Sequence, residues 1–178
     1  MRRTLSVATL ALVFVPVFAL AAEFPLNEKN TTIKFTGSKP GKNHEGGFKS
    51  VSGKASVDGK DITTLKINVE IQTDSLYADD PKLTNHLKSP DFFGVKTNPT
   101  AKFASTKVEK SGSEYKITGD LTMLGKTKSI TFPATISAAD GAFTLSASFT
   151  IDRTQWGMTY GPGKVDNNVK LTVNVNTK

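Results

Sequence analysis

The sequence predicts an all-β protein in which about eight antiparallel strands close into a barrel, with a short helix near one end. Three observations lead to this expectation. Apolar and polar residues alternate with period two along most of the chain, which is typical of strands that bury one face. Glycine-containing turns separate the strands, so neighbouring strands run antiparallel. One interval breaks the alternation and has helical spacing instead.

Residues 1–21 precede the predicted barrel and have the features of an export signal. Two arginines near the N-terminus are followed by an apolar run over residues 5–20, and Ala19-Leu20-Ala21 gives the small-x-small pattern that signal peptidase recognises. Pro16 interrupts this run, whereas spanning a bilayer takes about 20 unbroken apolar residues. A cleaved signal peptide is therefore favoured over a membrane anchor, and the surroundings of the arginine pair favour Sec export over the twin-arginine route.

Residues 22–178 are then expected to form one domain that is periplasmic or secreted. Removing two arginines and no acidic residue lowers the formal net charge from +7 to +5. The lysines recur singly, without the basic cluster that a nucleic-acid surface needs, so nucleic acid is not an expected partner. The absence of cysteine excludes disulfides, thiolate catalysis, cysteine-ligated metals and a lipoprotein anchor.

The predicted strands are six regular stripes and two less regular runs, over residues 47–57 and 101–108. The stripes are Ile33 and Phe35; Leu65, Ile67, Val69 and Ile71; Tyr115, Ile117, Leu121 and Met123; Ile130, Phe132, Ala134 and Ile136; Phe143, Leu145, Ala147, Phe149 and Ile151; and Val169, Leu171, Val173 and Val175. The tight-turn signals between them are Asp58-Gly59, Ser111-Gly112, Gly125 and Asp140-Gly141. Two glycine-rich stretches, residues 37–47 and 161–164, are expected to be exposed loops.

A short helix is predicted between Asp80 and Ser89. Asp80 suits the N-cap position, and Pro81 suits the first helical position because its missing N–H has no intrahelical partner there. Leu83 and Leu87 share one face, and Ser89 precedes a proline that ends the helix. Two phenylalanines follow, so the helix and this aromatic pair are expected to close one end of the barrel.

The chain carries little recognisable catalytic chemistry. His44 and His86 lack the spacing of a helical zinc site, and a site combining them with Glu45 is disfavoured. Asp79-Asp80 is explained by helix capping, and Asp152-Arg153 by a salt-bridged or hydrogen-bonded strand end. Neither a hydrolase nor a metal enzyme is therefore expected, and no cofactor is predicted.

Phenylalanine dominates the aromatic residues, with 11 Phe against 3 Tyr and 1 Trp. Because Phe has no polar group, an interior rich in it suits either a lipid chain or a packed core. Periodicity alone leaves both alternatives open.

Several stretches resemble one known family. They are residues 86–93 (HLKSPDFF), 98–103 (NPTAKF), 115–128 (YKITGDLTMLGKTK) and 151–161 (IDRTQWGMTYG). Their order and spacing are similar to those of the YceI-like family of exported β-barrels across nearly the whole of residues 22–178. The resemblance implies an eight-stranded antiparallel lipocalin-like barrel with a helix near one mouth.

The resemblance also implies a binding protein rather than an enzyme, with a long isoprenoid or a related lipid (a quinone, prenyl phosphate or fatty-acid derivative) in an apolar cavity. On this basis the expected ligand-binding residues are Phe35, Ile67, Val69, Leu83, Leu87, Phe92, Phe93, Phe103, Ile117, Leu121, Phe132, Leu145, Phe149, Trp156, Met158 and Leu171. Lys88 and Arg153 are the candidate contacts for an anionic head group.

The alternative function is a packed, ligand-free barrel that acts as an interaction or envelope-stress module. It predicts a filled interior and a protein partner, whereas the binding hypothesis predicts bound lipid. A homodimer is left open under both hypotheses.

Overall fold

β-Strands make up most of the chain in the computed structural model, which describes residues 21–178. The predicted signal peptide lies outside the described residues except for Ala21, the first residue of β1. The strands are β1 (Ala21–Asn27), β2 (Thr31–Lys39), β3 (Lys42–Phe48), β4 (Val51–Asp58), β5 (Lys66–Gln72), β6 (Leu76–Ala78), β7 (Thr100–Ser111), β8 (Glu114–Met123), β9 (Lys126–Ala139), β10 (Ala142–Asp152) and β11 (Asn168–Asn176). Helix α1 spans Pro81–Lys88, and 3₁₀ turns cover Ile62–Thr64, Thr73–Ser75 and Arg153–Trp156. None of the helices in this part of the chain has the length and apolar character to cross a bilayer.

The eleven described strand segments form one antiparallel sheet, in the order β1-β4-β5-β7-β8-β9-β10-β11-β2-β3-β6. Three long strands are interrupted: β1 continues into β2, β3 into β4, and β5 into β6. Counting each interrupted strand once gives eight long strands, the number that the sequence predicts, although the segments β1 and β6 lie outside the predicted stripes. The last long strand, β11, pairs with β2, and β2 pairs with β3. Because β2 continues β1, the first segment in the sheet order, the sheet curls back on itself as a barrel.

The register brings the predicted apolar stripes together on the inner face of the sheet, as period-two alternation requires. Two rows of directly paired residues are Val69, Phe103 and Leu121 across β5, β7 and β8, and Phe149, Leu171 and Phe35 across β10, β11 and β2. Two of the predicted turns place consecutive residues at positive φ, Leu124-Gly125 and Asp140-Gly141, the conformation that two-residue hairpins need.

Helix α1 begins and ends where the sequence predicts. The Asp80 carboxylate accepts hydrogen bonds from the backbone N–H groups of Lys82 (2.7 Å) and Leu83 (3.1 Å), and Pro81 is the first helical residue. Ser89 closes the helix in an extended conformation. These bonds hold the pKa of the Asp80 carboxyl below its usual value, the bond from Leu83 being the largest cause and that from Lys82 the next.

The predicted exposed loop over residues 37–47 is wrong for most of its length. This segment is the end of β2, a turn at Pro40-Gly41, and β3. Gly46 lies in β3 because the ring of Phe35 and the carbonyl of Tyr77 occupy the space of a side chain, and a Cβ there would lie 2.4 Å from Phe35 Cζ. The glycine marks a close approach within a strand rather than a loop. The second predicted loop, residues 161–164, has no strand or helix.

The end of the barrel away from α1 is filled by side chains. Its core consists of buried apolar residues from many strands and from the 3₁₀ turn Ile62–Thr64, and includes Phe24, Leu26, Val57, Ile62, Leu65, Val108, Ile117, Ile136 and Phe143. We call this the closed end. The opposite end, covered by α1 and by residues 157–167, which we call the mouth loop, contains the candidate site.

Candidate functional site

An apolar cavity of about 140 Å³ lies inside the barrel beneath α1. We call it the upper chamber. Its walls are Ile33, Phe35, Gly37, Phe48, Ile71, Leu87, Phe92, Phe93, Ala101, Leu121, Met123, Ile151, Arg153, Met158, Val165, Asp166, Val169 and Leu171. Only two of these residues are ionisable, Arg153 and Asp166, and both lie toward the mouth loop.

A second cavity of about 100 Å³, the lower chamber, lies between the upper chamber and the closed end. Thr31 is its only polar wall residue. The others are Leu26, Ile33, Ile67, Val69, Ile71, Phe103, Leu121, Ile130, Phe132, Phe143, Leu145, Phe149, Leu171, Val173 and Val175. The two chambers share Ile33, Ile71, Leu121 and Leu171, so these four side chains separate adjoining parts of one apolar interior.

Phenylalanine rings shape both chambers. In the lower chamber the rings of Phe132 and Phe149 stack with centroids 4.1 Å apart, and Phe103 lies 5.7 Å from Phe132. In the upper chamber Phe48 lies 6.1 Å from Phe35 and packs edge-on against Phe93 at 5.6 Å. The other three pairs have the separations that aromatic rings prefer, whereas the nearly parallel rings of Phe132 and Phe149 lie closer together than is usual.

Arg153 is buried and holds the mouth loop through backbone carbonyls. Its Nε donates to Asp166 O (3.0 Å), and its Nη2 donates to Tyr160 O (2.8 Å) and Val165 O (3.2 Å). Its Nη1 donates a short bond to Met158 O. Burial lowers the pKa of the guanidinium from its usual value, while the charges of Asp152 and Asp166 oppose that shift.

Arg153 thus donates four of its five N–H groups to backbone carbonyls of the mouth loop. The preceding residue sets its position, because the Asp152 carboxylate caps the 3₁₀ turn by accepting from Thr154 N (2.9 Å). Asp152-Arg153 is therefore a hydrogen-bonded strand end, as the sequence predicts, with backbone rather than carboxylate partners.

Trp156 anchors the same 3₁₀ turn to the barrel wall. Its indole Nε1 donates a 2.9 Å hydrogen bond to the carbonyl of Leu121 in β8, and the residue is almost completely buried. Trp156, the only tryptophan of the chain, belongs to the same buried apolar cluster as Leu121 but lines neither chamber itself.

A small aromatic cluster joins α1 to the mouth loop. The imidazole of His86 packs edge-on against Phe92 (5.0 Å) and Tyr160 (4.6 Å), and its Nε2 lies 2.9 Å from Asp91 Oδ2. Tyr160 belongs to the mouth loop, so the cluster joins this loop to the segment that follows α1. Phe92 also faces the upper chamber.

The histidines do not meet. His44 Nδ1 pairs with Asp79 Oδ1 at 3.0 Å, and that hydrogen bond is the largest cause of the lowered pKa of the Asp79 carboxyl. His86 pairs with Asp91 instead. Within residues 21–178, no group of three or more histidine, aspartate or glutamate side chains is arranged to hold a metal ion.

Most of the predicted ligand-binding residues line a chamber. Phe35, Leu87, Phe92, Phe93 and Met158 line the upper chamber, Ile67, Val69, Phe103, Phe132, Leu145 and Phe149 line the lower one, and Leu121 and Leu171 line both. Three line neither chamber: Ile117 belongs to the core of the closed end, Trp156 is packed in the buried cluster that includes Leu121 and Met158, and Leu83 is half-buried on α1. Of the predicted head-group contacts, Arg153 lines the upper chamber, whereas Lys88 lines neither chamber.

Several chamber residues are absent from the predicted site. Five of them lie on the same alternating stripes as the predicted residues, so the alternation indicates them too: Ile33, Ile71, Met123, Ile151 and Val169. Val165 and Asp166 come from the irregular mouth loop, and no periodicity indicates them.

Solved structures with a similar fold include BcnA from Burkholderia cenocepacia, with a TM-score of 0.74 at 22% identity over 83% of this chain and 96% of that one. A polyisoprenoid binding domain from Saccharophagus degradans, implicated in plant cell wall breakdown, has a TM-score of 0.70 at 12% identity over 88% of this chain and 98% of that one. At these identities the likeness establishes the fold, which confirms the predicted lipocalin-like barrel.

The sequence relatives of this chain have higher sequence identity to it than these two solved structures. Protein YceI of Salmonella arizonae is 36% identical over 138 residues, covering 75% of this chain and 72% of the relative. A UPF0312 protein of Enterobacter sp. (strain 638) is 35% identical over 136 residues, covering 75% and 71%. The YceI-like domain family itself matches residues 24–177. The barrel with its helix-covered mouth and the sequence relatives agree with this match. The chain therefore belongs to the YceI-like domain family.

Proposed function

We propose that this protein is an exported, non-catalytic binding protein that holds the apolar chain of a polyisoprenoid or a related long-chain lipid inside its barrel. The observation that carries the proposal is the pair of adjoining chambers, whose walls are almost entirely aliphatic and aromatic. The polyisoprenoid binding of the Saccharophagus degradans domain, which shares the fold, supports the same ligand class.

The energetics of such a site favour a hydrocarbon chain. Each CH₂ removed from water contributes about 0.8 kcal/mol, so an apolar tube holds a lipid without specific polar contacts. A polar ligand, in contrast, would lose hydrogen bonds to water that this lining cannot replace.

Binding of a long chain requires side chains to move. Each chamber is smaller than the roughly 300–1,000 Å³ of an ordinary small-molecule site. The four residues shared by the chambers, Ile33, Ile71, Leu121 and Leu171, are the ones whose rotation would join them into one continuous space. We expect the chain of the lipid to run past them from the mouth toward the closed end.

Binding rather than catalysis is supported by what surrounds the two ionisable wall residues. Arg153 donates to four backbone carbonyls, and the Asp166 carboxylate accepts from the N–H of Asn168 at 2.9 Å. Both groups therefore already perform structural roles at the mouth. A ligand-free interaction module, the alternative function, calls for a filled interior, which the two chambers argue against.

Native mass spectrometry tests the proposal on protein purified from a bacterial periplasm without detergent. The expected result is a protein mass that lacks residues 1–21, together with a stoichiometric adduct that organic extraction identifies as a lipid. A ligand-free mass that stays unchanged after incubation with prenyl phosphates, quinones and fatty acids would overturn lipid binding and favour the interaction module.

A further inference from the structure

A polar pocket of about 540 Å³ lies outside the upper chamber, between the tip of the β2–β3 hairpin and the mouth loop. Its walls include Lys39 and Lys164. The two sides are joined by a backbone hydrogen bond from Asp166 N to Ser38 O at 2.9 Å, so the pocket is part of the folded structure.

This polar pocket adjoins the upper chamber. Val165 and Asp166 line both spaces, and Gly37 on β2 lines the chamber beside them. A Cβ built on Gly37 meets no atom within 4 Å, so a gap remains at the rim of the barrel. A polar space and an apolar space therefore lie side by side at this point of the rim, with open space beside Gly37.

Two lysines make the polar pocket basic beside the rim of the barrel. Lys39 follows Gly37 by two residues and lies on the same face of β2, because successive strand residues alternate between faces. Within residues 21–178, neither Lys39 nor Lys164 makes an ion pair with an acidic side chain. The one carboxylate in the pocket wall, Asp166, is turned to the N–H of Asn168.

We propose that this polar pocket receives the anionic head group of the bound lipid, with Lys39 and Lys164 as its cationic contacts and the chain passing Gly37 into the upper chamber. The proposal rests on the proposed function and adds the class of head group, a phosphate or a carboxylate. It also replaces the two head-group candidates of the sequence analysis, since Arg153 is committed to the mouth loop and Lys88 lines neither the chambers nor the pocket.

The first test compares lipids that share a chain but differ in the head group. Geranylgeranyl phosphate and geranylgeraniol are titrated into the mature protein, with palmitate and palmityl alcohol as the carboxylate pair. We expect the wild-type protein to bind each anion about tenfold more tightly than its alcohol at low salt, and this preference to shrink at high salt. Comparing the size of this preference between the two pairs shows whether the site favours a phosphate or a carboxylate.

The Lys39→Gln/Lys164→Gln variant should lose the preference and bind the alcohols as the wild type does. The matched control is Lys60→Gln/Lys110→Gln, which removes the same charge from exposed positions near the closed end. It should keep the preference. This comparison separates local contacts from the effect of net charge.

The second test concerns the route. Gly37→Leu fills the gap at the rim without straining the backbone, since Gly37 lacks a positive φ. We expect it to weaken binding of all four lipids at least tenfold, whereas Thr32→Leu on the outer face of the same strand should not. Normal binding by Gly37→Leu would overturn the route.

The outcomes separate the two proposals. If no chain-bearing probe binds, the proposed function fails and the head-group site fails with it. If the alcohols bind well but the anions show no advantage, or if the double variant keeps that advantage, the head-group site alone is overturned.

Discussion

The ring of Phe103 occupies the space that a side chain at Gly119 would need. A Cβ built on Gly119 would lie 2.4 Å from Phe103 Cζ and 2.6 Å from the carbonyl oxygen of Ala104. Gly119 in β8 therefore lets the ring of a β7 residue lie across the neighbouring strand and form part of the lower chamber wall. In the same way, the ring of Phe35 at the upper chamber occupies the space that a side chain at Gly46 would need.

Gly119→Ala is expected to destabilise the protein by about 1–3 kcal/mol, because it forces the Phe103 ring out of its position. Thermal and urea unfolding measure the change. Adding Phe103→Leu should recover part of the loss, since a smaller side chain relieves one of the two clashes. Equal losses for the single and double variants would contradict this coupling.

Leu121→Ala is expected to join the two chambers, since Leu121 is one of the four side chains between them. It should cost about 2–5 kcal/mol and favour longer prenyl chains over shorter ones in a competition measured by native mass spectrometry. Leu65→Ala is the control, because it removes the same group from the core of the closed end. A shift toward longer chains in both variants would contradict the role of Leu121.

Phe103→Asp should abolish lipid uptake more strongly than Lys110→Asp. An unpaired carboxylate facing an apolar ligand costs several kcal/mol, whereas position 110 is exposed. Lipid retained after gel filtration measures uptake, and emission from Trp156 checks that both variants fold. Equal uptake would contradict the position of Phe103 on the chamber wall.

Arg153→Met should destabilise the protein by about 3 kcal/mol, since four carbonyls of the mouth loop lose their donor. Arg153→Lys should recover only part of this, because an ammonium cannot reproduce the planar arrangement of the guanidinium N–H groups. Hydrogen exchange should show faster opening of residues 157–167 in both variants. Protection of this loop equal to that in the wild type would contradict the role of Arg153.

The stabilising effect of the Asp80 charge should depend on pH. Because hydrogen bonds from Leu83 and Lys82 lower the pKa of Asp80 in the folded protein, its contribution is complete above the unfolded pKa of about 4. It is lost as the pH falls through the lower folded value. Asp80→Asn should therefore be less stable than the wild type at pH 7, and the difference in urea midpoints should vanish in strong acid. A difference that stays constant from pH 7 into strong acid would contradict this account.

Local patterns were sufficient to predict α1 and the number of long strands, but not the segments β1 and β6. Period-two alternation indicates which face of a strand is buried, and the residues from Asp80 to Ser89 contain the start and stop of the helix within one short segment. The loop prediction over residues 37–47 is wrong because the strand there depends on contacts from outside the segment. Gly46 is required by the ring of Phe35 and the carbonyl of Tyr77, and neither constraint can be seen within the segment itself.

The sequence by itself determined the barrel, the direction of its side chains and the apolar character of its interior. Only the tertiary structure decided which inward residues meet a cavity: Ile117 and Leu121 lie on one stripe of β8, yet the first is packed in the closed end and the second divides two chambers. Arg153 likewise lines a chamber while its donors hold the mouth loop. The physical reason is that alternation specifies a face, whereas space and hydrogen-bond partners depend on what the other strands and loops bring to the same level of the barrel.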